Sequence, residues 1–97
     1  MGLMDRVCED VGRRLWKACP FLPSSARLLG TRLRPIFEAH ALHSRPEGEF
    51  AAAADALAFA EFALRQDRIA LFAQQAAALR RDARRIRRQR LLRWLGL

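Results

Sequence analysis

Arg80, Arg81, Arg84, Arg85, Arg87, Arg88, Arg90 and Arg93 fall within fourteen residues, with Asp82 the only acid among them. The guanidinium group carries a rigid fork of donors that suits carboxylate and phosphate alike. The chemistry such a run can do is therefore recognition of an anionic partner: RNA, a lipid surface or an acidic protein. The first 79 residues hold ten basic and nine acidic side chains, so the formal charge of +8 resides almost entirely in this last segment. A solvated helix end also attracts arginine, through the helix dipole, but eight are more than a helix end requires. Leu91, Leu92, Trp94, Leu95 and Leu97 accompany the run as an apolar plug for a partner or a membrane surface.

Residues suited to bond-making chemistry are sparse. Cys8 and Cys19 stand eleven apart without a second pair, which fits neither a disulfide framework nor twin metal-binding knuckles. They read as free thiols in a reducing compartment. His40 and His43 are three apart, with no cysteine or carboxylate pattern to complete a zinc site. Cys19 with either histidine lacks an orienting group and oxyanion donors. No phosphate-binding glycine loop, nucleophile elbow or zinc-protease motif is present. The sequence therefore predicts a protein that is not an enzyme and has no cofactor of its own.

The elements that must carry these residues are helical. Ala, Leu and Arg dominate, Tyr is absent and β-branched residues are few, a composition that favours helix and lacks strand patterning. One helix is expected from about Leu3 to Ala18, with Leu3, Val7, Val11, Leu15 and Trp16 on one face, stopped by Pro20 and Pro23. A second, capped by Ser24 or Ser25, runs to about Leu42 and kinks or breaks near Arg34 because of Pro35. Its apolar positions are Leu28, Leu29, Leu33, Ile36, Phe37 and Leu42. A break at 43–48 follows, where Ser44 and Glu47 suggest a capping box. From Glu49 to about Trp94 there is no proline or glycine, and one long third helix is expected. The predicted fold is all-α: a three-helix up-down-up bundle over 1–79, with an Arg-rich helical extension over 80–97 projecting beyond it. The longest weakly charged stretch, broken by Asp55, falls well short of the roughly 20 apolar residues of a membrane span. The acids Asp5, Glu9 and Asp10 argue against a cleavable transit peptide, and Arg6 breaks the myristoylation pattern after Gly2.

Leu15-Trp16-Lys17, then Leu22-Pro23, then Arg27-x-Leu29-Gly30, then Phe37-Glu38-Ala39-His40 follow one another along the chain. This order resembles the LYR-motif family of small mitochondrial proteins, nearest its succinate dehydrogenase assembly-factor branch, over roughly residues 13 to 66. The resemblance implies a matrix-side adaptor or accessory subunit of a respiratory complex, at the inner membrane. It also implies a mitochondrial acyl carrier protein as partner, whose phosphopantetheine-linked acyl chain enters between the helices. Arg13, Arg14 and Lys17 would then meet acidic residues of the carrier, while Leu15, Trp16 and Phe37 would line the acyl tunnel or simply pack in the core. The resulting expectation is a non-enzymatic accessory or assembly subunit of a mitochondrial complex, in contact with its other subunits and with anionic lipid. The alternative is a small mitochondrial ribosomal protein whose arginine helix lies along RNA.

Overall fold

A computed structural model of the chain describes the backbone of residues 3–48, 50–66 and 68–96, with side chains from Asp10 onward. Leu3, Val7 and Cys8 as side chains, and Glu49 and Leu97 altogether, lie outside that description. Among the described residues every regular element is helical. Helix α1 spans Leu3–Ala18, α2 Pro23–Leu29, α3 Leu33–Ala41, α4 Ala51–Arg65 and α5 Ala73–Trp94. Short 3₁₀ turns at Cys19–Phe21 and Gly30–Arg32 join α1 to α2 and α2 to α3.

The expected second helix is thus two. The break falls at Gly30, whose φ of 54° and ψ of −122° suit only glycine. Pro35 then sits in the first turn of α3, where its missing N–H leaves no intrahelical bond unmade. The break expected near Arg34 is not there: Arg34 and Pro35 both lie within α3, and the chain turns at Gly30, five residues before the proline.

The expected third helix is also two, and here the difference changes the architecture. Gln66 and residues 68–72 leave the helical path, and Gln66 is extended with ψ at 108°. Helix α5 folds back on α4, so that Arg87 meets Glu61 at 3.1 Å and Arg93 lies over the Phe50 ring at 4.4 Å. It also runs antiparallel to α2, with Asp82 against Ser25 and Gln75 against Leu28. The arginine segment is therefore no projecting extension from residue 80 onward. Gln75, Ala78, Leu79, Asp82, Ala83 and Ile86 form a buried stripe at helical spacing, and burying it is the gain that an extended 49–94 helix would forgo. Residues 87–96 are exposed, so α5 overhangs the body for its last turns.

The core joins Val11 and Ala18 of α1, Leu22, Leu29 of α2, Leu33, Ile36 and Phe37 of α3, Ala56, Leu57, Phe59, Ala60 and Ala63 of α4, and Leu79, Ala83 and Ile86 of α5. Alanines on α4 let its neighbours approach closely, while Phe37 and Phe59, with centroids 5.4 Å apart, fill the centre. Trp16 does not share the inward face expected for it; it is 79% exposed, while Val11 is buried and Leu15 packs against the core. Leu42, expected on the apolar face of the second helix, is likewise exposed.

Candidate functional site

Two arrangements gather the residues capable of chemistry: a buried charge cluster beneath α1, and the outward surface of α5 with the cleft under its overhang.

In the first, Asp55 comes from the middle of α4 and is buried. Arg14 of α1 donates to it from both Nε and an Nη, at 3.0 and 2.8 Å. His40 Nε2 of α3 lies 2.7 Å from the same Oδ1 that Arg14 reaches. Arg14 further donates to the carbonyls of Ala41 and Ser44, tying down the end of α3. Burial works to raise the Asp55 pKa, but hydrogen bonds from His40 and Arg14, with the positive guanidinium, outweigh it and leave the carboxyl below its ordinary value. The Arg14 guanidinium is held more firmly protonated, chiefly through its hydrogen bond to Asp55 and against the effect of burial. His40 packs against Phe37, Phe59 and Phe62. A histidine 1% exposed, with Nε2 committed to an aspartate, has no approach for a substrate. The cluster holds helices together.

The carrier-binding residues expected on α1 are accordingly divided. Arg13, Trp16 and Lys17 lie on the surface, on one side of the helix by their spacing. Arg14 is spent on Asp55, Leu15 packs against the core, and Phe37 is wholly buried. An acyl chain entering beside Leu15 and Phe37 would have to displace the Phe37–Phe59 contact. Cys19 forms no disulfide with a described residue, and partial burial pushes its thiol pKa up, away from a reactive thiolate.

On α5 all eight arginines of the sequence run are exposed. Among the described residues only Arg87 has an ionic partner, Glu61, and Arg93 stacks on Phe50. The inner side of the helix is fixed independently of them. Asp82 Oδ2 accepts from the Ser25 backbone N–H at 2.7 Å and from its hydroxyl at 2.6 Å. Ser25 is the third residue of α2, whose own N-cap position, Leu22, offers no side-chain acceptor. An aspartate from α5 therefore caps α2, where a local serine cap had been expected. Gln75 Oε1 accepts from Arg32 and from the Phe72 N–H, while its amide donates to Leu28 O. Asp55 and Asp82 were the residues sequence reasoning passed over. Each is a lone acid in a segment of opposite character, alanine-rich for one and arginine-rich for the other. That isolation was the available sign.

Under the overhang, Phe21, Phe50, Ala52, Ala53, Ile86, Leu92 and Trp94, with Gln89, Arg90 and Arg93, line an open cleft of about 1030 Å³. Leu92, Trp94 and Leu95, expected to form an apolar plug, are exposed. No group of three or more potential metal ligands occurs among the described residues, and no described helix is long and apolar enough to cross a membrane. Comparison with family models, curated proteins and solved structures finds no match to this chain.

Proposed function

We propose that this chain is a non-enzymatic helical adaptor, an accessory or assembly subunit of a mitochondrial multiprotein complex of the respiratory chain, that docks to an anionic partner through α5. The observation that carries the docking is the division of α5 into two sides. One side is locked into the body by Leu79, Ile86 and the Asp82–Ser25 bonds, while the other presents Arg80, Arg81, Arg84, Arg85 and Arg88 to solvent. A body that fixes such a helix spares the partner the entropy of ordering it. The mitochondrial setting rests on the resemblance of Leu15-Trp16-Lys17 and the residues downstream to the LYR family. The surface group Arg13, Trp16 and Lys17 leaves room for an acidic carrier protein as a second partner, with its acyl-phosphopantetheine as the group it would bring. The absence of chemistry is supported by the engagement of His40 with Asp55 and by the raised thiol pKa of Cys19.

The test is affinity capture of the tagged full chain from its native cell, with and without nuclease, followed by mass spectrometry. Recovery of respiratory-complex subunits or acyl carrier protein irrespective of nuclease supports the reading. Recovery of ribosomal proteins that disappear on nuclease treatment overturns it in favour of RNA, whose phosphates the same arginines fit; binding would then fall steeply with salt.

A further inference from the structure

We infer that the overhanging turns of α5 are a docking surface for an anionic phospholipid bilayer. From Arg87 to Trp94, about 12 Å at 1.5 Å per residue, every residue is exposed, while Arg87 on Glu61 and Arg93 on Phe50 tie the inner side to the body. Counting about 100° per residue, Leu91 and Leu95 lie on the side opposite Leu79 and Ile86, with Trp94 and Leu92 on its two flanks, where they also border the cleft beneath α5. On that same side, one to four turns earlier, lie Arg80, Arg84 and Arg88. The outward surface thus changes along the helix from guanidinium to leucine and tryptophan. Trp94 is 81% exposed and Leu91 and Leu95 more than half, so three large apolar side chains gather at one end of the helix. Arg88 lies about 10 Å behind Leu95 along the axis, near enough to reach lipid phosphate while the leucines enter the boundary between headgroups and acyl chains. Tryptophan favours that boundary, and Phe50, half exposed beneath Arg93, extends the apolar edge on the α4 side. From Ala83 to Leu97 there is no acidic residue to repel phosphate. A bilayer offers an anionic layer directly over an apolar one, in the order the helix presents their complements. An acidic protein would need to place separate carboxylates and an apolar pocket to do the same. This surface stands on the leucines and Trp94, so it can fail while capture through the arginines succeeds, and the reverse.

The experiment is flotation of the purified full chain with vesicles of phosphatidylcholine alone and with phosphatidylglycerol added. Flotation is expected only with the anionic vesicles. Each of Leu91→Ser, Trp94→Ser and Leu95→Ser should weaken it about tenfold, as removal of one buried apolar side chain implies, with the circular dichroism of the folded protein unchanged. In a Trp16→Phe background the Trp94 emission should shift to the blue on anionic vesicles. No flotation, flotation that survives the three serine substitutions together, or an unshifted emission would each overturn the inference. So would a dimer in free solution that Trp94→Ser dissociates, since the apolar turns would then be covered by a second copy.

Discussion

Asp55 is the residue on which three helices depend. Arg14 and His40 are held around one buried carboxylate, and each arrives from a different element. Removing that charge leaves a guanidinium and an imidazole inside the protein without their acceptor. Asp55→Asn should therefore cost roughly 3–5 kcal/mol in urea unfolding, far more than a solvent-facing pair such as Arg34–Glu38 would. The pH dependence follows from the lowered carboxyl pKa. A group whose pKa is depressed on folding contributes stability above its unfolded value, and that contribution is lost as the pH falls towards the folded value. Thermal melts should thus lose stability below pH 3.8, the ordinary value of the group, and the slope there should flatten in Asp55→Asn. The sequence placed both basic partners of this cluster in view, one in the Leu-Trp-Lys region and one in Phe37-Glu38-Ala39-His40. It gave no means to see that they converge, because the residues lie 41 and 15 positions from Asp55.

At the scale of elements, α2 is a seven-residue helix that begins on a proline and owns no side-chain cap. A helix this short is marginal by itself, and Asp82 supplies from α5 what its own sequence lacks. Asp82→Ala should destabilise the protein by about 1–3 kcal/mol. Paired with Ser25→Ala in a double-mutant cycle, it should show a coupling of at least about 0.5 kcal/mol; additive effects would mean that the two do not act together. Amide exchange in α2 should accelerate in the same variant. The turn at Gly30 makes a similar demand, and Gly30→Ala should cost about 1–3 kcal/mol because its backbone lies where a Cβ is strained. The proline stops, the composition and the boundaries of α1 were legible because they are local: each depends on residues within one turn of each other. The break before α5 was not, since neither proline nor glycine marks 66–72 and every residue there tolerates helix.

For the molecule as a whole, the proposed docking assigns stability and recognition to opposite sides of the same helix. Leu79→Ala, on the inner side, should cost about 2–5 kcal/mol as a buried leucine removed from a closed core. Replacing Arg80, Arg84 and Arg88 by glutamine should leave the melting curve within about 0.5 kcal/mol of the original. The same replacement should abolish capture of the anionic partner from cell extract. A variant that loses both together would show that the arginines hold the fold rather than serve a partner.

The sequence by itself determined the helical character, the extent of α1, an interruption within the second helix and the concentration of positive charge in the last segment. Each follows from local propensity or from a spacing that any helix must obey. Only the tertiary structure decided that residues 49–94 fold into a hairpin, that Trp16 faces solvent, and that Asp55 and Asp82 are buried. The reason is that a helix of permissive residues will continue or turn according to the apolar area it can bury, and the surface that receives Leu79 and Ile86 is assembled from α2 and α4. Buried acids follow the same logic: Asp82 is tolerable only where Ser25, 57 residues away along the chain, has been brought to meet it.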